Sequence, residues 1–137
     1  MDIRGTRTEV VSRAPLGRVL VVEDDASLLS LFVRALEYDG YQCGTATSGD
    51  QALWSVVGQC PEVIVLDVVI PHPSGIEVCR HLRAQGWDGG IVIVSARANP
   101  EDRDAALRAG ADTFLAKPFP LSDLVSAIDA LLRPQGS

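Results

Sequence analysis

Residues 18–45 read RVLVVEDDASLLSLFVRALEYDGYQCGT. The run at 19–22 is short, β-branched and continuously apolar, as expected of a strand covered on both faces. Behind it, Leu29, Phe32, Val33 and Leu36 recur at spacings of three and four, the stripe of an amphipathic helix. Gly40 stands where a helix C-terminal glycine belongs, and a second apolar run follows at 41–45. The stretch therefore reads strand, helix, strand.

Outward from it the unit repeats. Further apolar runs lie at 63–66, 91–94 and 113–116. Ile76, Cys79 and Leu82 form another helical stripe, and Leu121, Leu124, Val125, Ile128, Leu131 and Leu132 form the longest. Asn99-Pro100-Glu101 has the chemistry of a helix start, with Pro at the first helical position and an acid in the first turn. Gly110 is a second candidate helix C-terminal glycine. Five strands alternating with five helices predict an α/β fold, a parallel sheet with helices on both faces. No strand–helix unit is left over for a second domain. Residues 1–17 mix charge with Gly, Pro and Ser and lack periodicity, so they read as a flexible arm. The domain is expected over 18–133, with 134–137 a stub after the last helix.

Composition narrows the function classes. Twelve Lys and Arg against eighteen Asp and Glu give a net charge of −6, a poor basis for direct nucleic-acid binding. No apolar run reaches the ~18 residues that span a bilayer, and the N-terminus has no signal-peptide stretch. A cytoplasmic location without membrane attachment is the expectation. The three cysteines, Cys43, Cys60 and Cys79, are scattered without a CxxC pair. They are expected as small buried or half-buried apolar residues rather than disulfides or zinc ligands. His72 and His81 show no metal-ligand pattern either.

In a doubly wound sheet, chemistry sits at the carboxyl ends of the strands near the topological switch point. Strand one ends in Glu23-Asp24-Asp25, strand three in Asp67, strand four in Ser95 and strand five in Lys117-Pro118. These ends converge on one shallow pocket of acids, a hydroxyl and an ammonium. Two carboxylates ~4 Å apart repel by about 4 kcal/mol at an effective dielectric near 20. Crowded acids therefore raise one another's pKa or draw in a hard divalent cation, and Mg²⁺ suits a few carboxylates plus waters and phosphate oxygens. A phosphoryl group on one carboxylate adds roughly two negative charges, which a cation, Lys117 and Ser95 can neutralise and orient. The set suits covalent phosphoryl capture by an aspartate. Taken singly, each residue has a plainer reading. Asp25 is equally well an N-cap, Asp67 a turn acid and Lys117 a surface lysine.

The pieces LVVEDD (20–25), VLDVVIPHPSG (65–75), IVSARA (93–98), AGAD (109–112) and LAKPF (115–119), in this order and spacing, resemble the receiver domain of two-component response regulators. The resemblance implies a flavodoxin-like, CheY-like sheet of strand order 2-1-3-4-5. It implies Asp67 as phospho-acceptor. Asp24, Asp67 and the backbone carbonyl of Val69 would be the Mg²⁺ ligands, with Glu23 acting indirectly. Ser95 and Lys117 would contact the phosphoryl group. Ser95 and Phe114 would form the switch pair, and the Lys117–Pro118 bond would be cis. Phe114 lacks the hydroxyl of the commoner Tyr, so its switch is expected to rest on ring packing alone. His72, with Pro73, leaves an imidazole near the site, expected as an exposed loop residue.

The implied partners are a sensor histidine kinase or histidine phosphotransfer protein upstream, and an output protein or fused domain downstream. The protein would catalyse its own phosphorylation and slow dephosphorylation without being an enzyme in the ordinary sense. EDR (101–103) and LRAGAD (107–112) look like the winged-helix transcription-factor subfamily. That subfamily carries arginines in its last helix where this chain has Ala127 and Asp129. The expectation is therefore a monomer or a weak phosphorylation-dependent dimer, in a stand-alone or non-transcriptional context.

Three other readings fit the sequence less well. A haloacid-dehalogenase-type phosphohydrolase wants a DxD motif after strand one, where this chain has EDD. A nucleotide or flavin binder needs a Gly- or Ser/Thr-rich phosphate loop there, and three acids repel phosphate. A degenerate receiver acting only as an interaction module would not need the full acid, Ser95 and Lys117 set.

Overall fold

The computed structural model describes residues 14–133. Most of the expected arm and the whole stub, 1–13 and 134–137, lie outside the described residues. Within the arm's described end, the Leu16 N–H donates to Gly40 O at 2.9 Å and Gly17 O accepts from Gln42 N at 2.9 Å. The elements are β1 (Arg18–Val22), α1 (Ala26–Tyr38), β2 (Gln42–Ala46), α2 (Gly49–Gln59), β3 (Val63–Asp67), α3 (Gly75–Ala84), β4 (Gly90–Ser95), α4 (Pro100–Arg108), β5 (Thr113–Ala116) and α5 (Leu121–Leu132). The five strands are parallel in the order β2-β1-β3-β4-β5, as the resemblance implied.

The continuously apolar strands divide their side chains by period two. Leu20, Val22, Ile64, Leu66, Ile91 and Ile93 join Ala52, Val78, Leu82 and Ala106 beneath α2, α3 and α4. Val19, Val21, Val63, Val65, Val92 and Val94 meet Phe32, Leu36, Leu124 and Ile128 beneath α1 and α5. The Leu121–Leu132 stripe is thus core, with Leu124 and Ile128 fully buried.

Local signals explain the element ends. Asn99 Oδ1 accepts from Asp102 N at 2.9 Å and caps α4 ahead of Pro100. Gly40 and Gly110 adopt φ of +108° and +113°, conformations that L side chains rarely take. Past Gly40, the Tyr41 N–H donates back to Leu36 O at 3.1 Å. Tyr41 is therefore spent on closing α1, and β2 begins at Gln42, one residue later than its apolar run suggested. Cys43 and Cys79 are half-buried and buried as expected, but Cys60 is exposed. It closes α2 in the left-handed region, φ 51°, a position that turns its side chain outward.

One contact set had no signal in the pattern. The Arg83 guanidinium donates to Gly110 O (3.0 Å), Trp87 O (2.9 Å), Gly89 O (2.7 Å) and Asp112 Oδ2 (3.1 Å). Asp112 Oδ2 also accepts from Ile91 N at 2.8 Å. One side chain from α3 thereby ties together the loops that feed β4 and β5.

Ile93 is wholly buried on β4, an interior strand of the sheet. Ile93→Ala is expected to lower the unfolding free energy by about 3 kcal/mol, read by denaturant titration. Burial pushes the Cys79 thiol up to about 11 and that of Cys43 up to about 12. A thiol reagent at pH 8 should modify Cys60 first, and Cys43 and Cys79 only on unfolding; rapid labelling of Cys79 in the native state would contradict this burial.

Candidate functional site

Four strand ends meet at one edge of the sheet. Beyond β1, the Glu23 N–H donates to Ala46 O at 3.0 Å, which turns the side chain inward, where it is only 2% exposed. Its carboxylate accepts from Asp25 N at 3.1 Å. Asp25 is the N-cap of α1, accepting from Ser27 N (2.9 Å) and Leu28 N (3.1 Å). That leaves Asp24 exposed between two committed acids.

Asp67 is the last residue of β3 and is buried. Its Oδ1 accepts from Val69 N at 3.1 Å, a tight Asx-type turn that aims the other oxygen away from the loop. That oxygen, Oδ2, accepts from Lys117 Nζ at 2.7 Å. The same ammonium donates to Glu23 Oε1 at 2.8 Å. Lys117 is positioned by its own backbone, whose N–H donates to Ser95 O at 2.8 Å. The Lys117–Pro118 bond is cis, and so is His72–Pro73.

Ser95 ends β4 fully buried, with Oγ accepting from Arg97 N at 3.0 Å. The hydroxyl proton is thus free for another acceptor. His72 is 83% exposed, with Nδ1 4.0 Å from Glu77 Oε1, outside the acid cluster. Val69 is exposed.

Phe114 is buried on β5. The Arg103 guanidinium from α4 lies over its ring, 5.0 Å from the centroid. The expectation that the ring is held by packing alone is corrected: a cation–π contact supplements it. EDR was visible in the sequence as a likeness, but nothing in one chain's spacing pairs Arg103 with a ring on the next strand.

The charges are interdependent. Burial opposes the Lys117 ammonium, but the hydrogen bonds it donates to Asp67 and Glu23 outweigh that and hold the lysine above its ordinary value. Burial pushes the Glu23 carboxyl above the usual carboxylate range; Lys117 and the Asp25 N–H oppose that, and the charge on Asp67 adds to it. Ligand oxygens of Glu23, Asp24 and Asp67 all lie within 4.8 Å of one another. Three hard oxygen donors so close form a cluster able to hold a metal ion.

With this geometry in view, comparison with known proteins gives a consistent answer. The sequence pattern of the response regulator receiver domain matches residues 19–129. The chain belongs to the response regulator receiver family. It is 44% identical over 120 residues to the transcriptional regulatory protein PrrA of Mycobacterium tuberculosis, covering 88% of this chain and 52% of that protein. It is 42% identical over 116 residues to the response regulator MprA of Mycolicibacterium vanbaalenii, covering 85% and 50%. The chain thus spans about half the length of the curated relatives it matches. Among solved structures, a Francisella response regulator receiver domain superposes with a TM-score of 0.82 at 29% identity, covering 85% of this chain and 96% of that one. The BeF3-activated receiver domain of Klebsiella pneumoniae RstA gives 0.80 at 27%, covering 85% and 98%. This is a receiver of two-component signalling rather than a member of a classical enzyme family. No helix among the described residues is long and apolar enough to cross a membrane.

Lys117→Ala would leave two buried carboxylates facing each other without a cation. A loss of about 3 kcal/mol in unfolding free energy at pH 7 is expected. Burial raises the Glu23 carboxyl and Lys117 opposes that rise. Without Lys117 the folded-state pKa stands still further above the unfolded value, so protonation favours the variant's fold more than the parent's as pH falls. The deficit of the variant should therefore shrink between pH 7 and pH 5, measured by denaturant titration at each pH.

Proposed function

We propose that Asp67 accepts a phosphoryl group from a phosphohistidine of a sensor histidine kinase or histidine phosphotransfer protein. The observation carrying this reading is the Lys117 ammonium on Asp67 Oδ2, within a cluster that also holds Glu23 and Asp24. In the transfer, a carboxylate oxygen of Asp67 attacks phosphorus in line. The phosphorus–nitrogen bond breaks, and its electron pair returns to the departing imidazole.

The donor set, three carboxylates within 4.8 Å of one another, fits Mg²⁺. Asp24, Asp67 and the Val69 carbonyl would hold it, and Glu23 would support it indirectly. When bound, the cation supplies neutralisation of the phosphoryl oxygens. Lys117 contributes a second positive charge, and it is pre-positioned because its hydrogen bonds to Asp67 and Glu23 exist beforehand. Once phosphoryl oxygens are present, the Ser95 hydroxyl has an acceptor for its free proton. Turning it draws on the segment that begins at Arg97, whose N–H holds Ser95 Oγ.

The segment is poised to respond. Within α4 only Ala106 is fully buried, and Leu107 is half exposed. Few buried apolar contacts mean a low local unfolding cost. The stack of Arg103 on Phe114 links that helix to β5, so its displacement repacks the switch ring. The altered face around α4, β5 and α5 would then be read by an output protein or a fused domain in the cytoplasm. The likeness to the transcriptional regulatory protein PrrA favours a transcriptional output over the stand-alone or non-transcriptional context that Ala127 and Asp129 suggested.

Incubation with a small phosphodonor and Mg²⁺ should add one phosphoryl mass to the intact chain, and Asp67→Asn should add none. Asp24→Ala should weaken Mg²⁺ by roughly tenfold or more, a loss of ~1.4 kcal/mol at least. Equal mass gain in Asp67→Asn would sink the assignment.

A further inference from the structure

The loop 68–74, between Asp67 and α3, carries Val69 and therefore part of the proposed cation site. Its own sequence, VVIPHPS, leaves it few internal donors, since two of its residues are prolines. Its carbonyls are held from outside. Val68 O accepts from Gly75 N at 3.0 Å. Pro71 O accepts from Gly49 N at 2.9 Å, and His72 O from Asp50 N at 3.3 Å. Gly49 and Asp50 open α2, so two N–H groups that a helix start leaves without intrahelical partners are satisfied by this loop. The Ser48 hydroxyl takes the third, accepting from Gln51 N at 3.1 Å. No N–H among the described residues donates to the Val69 carbonyl.

The approach has no slack. A Cβ on Gly49 would lie 1.9 Å from Pro73 O and 2.7 Å from Pro73 N, both backbone atoms that cannot swing aside. A Cβ on Gly58, farther along the same helix, would meet nothing within 4 Å. Gly49 is thus the residue through which α2 seats the loop, and the positive end of the helix dipole lies against the loop carbonyls.

We infer that Gly49 is a positioning residue for the cation site: by holding the Pro71–Pro73 backbone against the start of α2, it sets the loop that presents Val69 beside Asp67. The inference rests on the reading of the acid cluster as the Mg²⁺ and phosphoryl site. It also makes α2, which carries none of the three clustered acids, part of the site's support.

The test is the Mg²⁺ dissociation constant, by calorimetry, of the parent chain, Gly49→Ala, Gly58→Ala, Ser48→Ala and Asp24→Ala, with the melting temperature of each. Gly49→Ala should weaken Mg²⁺ about tenfold, the scale on which outer-shell support acts. Gly58→Ala should leave it unchanged. Ser48→Ala, which weakens the helix cap without touching the loop, should lower the melting temperature and leave Mg²⁺ affinity alone. A folded Gly49→Ala chain that binds Mg²⁺ within twofold of the parent overturns the inference. So does a Ser48→Ala chain that loses as much affinity, because the effect is then helix stability alone. If Gly49→Ala fails to fold, the parent decides: the Gly49 amide resonance should shift on Mg²⁺ addition, and an unmoved resonance overturns the inference. Loss of Mg²⁺ binding in Asp24→Ala upholds the reading of the site independently. A parent that binds no Mg²⁺ removes both.

Discussion

The Lys117 ammonium sits between Glu23 Oε1 at 2.8 Å and Asp67 Oδ2 at 2.7 Å. Glu23 and Asp67 are both buried, and Asp24 adds a third carboxylate beside them. Buried carboxylates in such company are sustainable only with a cation among them. One side chain from the end of β5 supplies it, and in doing so joins the ends of β1 and β3 to its own. The same arrangement suits the proposed phosphoryl transfer: Lys117 already stands on Asp67, in place for further negative charge.

The rest of the fold serves that convergence. Period-two packing sends alternate residues of β1, β3 and β4 into two separate cores. The sheet is therefore clamped between α1 and α5 on one face and α2, α3 and α4 on the other. Strands held so firmly fix where their last residues stand. Arg83 does the corresponding work at the opposite edge, tying the entries of β4 and β5 through four hydrogen bonds.

Against this rigid frame, α4 stands apart. Its outward contacts are largely polar: Arg97 Nη2 lies 3.5 Å from Asp102 Oδ1, and Arg103 rests on Phe114. Such contacts rearrange at low cost compared with the displacement of a buried isoleucine. A site built on stiff strands beside a loosely held helix can convert a local change of charge into a change of surface.

The sequence by itself determined the elements and most of their ends. Apolar runs, helical stripes, the Asn99 cap, and Gly40 and Gly110 are local signals, because backbone conformation and amphipathic period are set within a few residues. It also brought Glu23, Asp24, Asp67, Ser95 and Lys117 to the same edge, since parallel strands share one carboxyl end. Tertiary structure alone decided which of these groups touch. Lys117 bridges Glu23 and Asp67 across 94 and 50 residues of sequence. Arg83 finds Gly110, Arg103 finds Phe114, and Gly49 backs onto Pro73. The outward turn of Cys60 and the late start of β2 likewise follow from how helix ends close on their neighbours. Periodicity states which face a side chain occupies; only the packed fold, by bringing distant backbone within hydrogen-bond reach, states what it meets there.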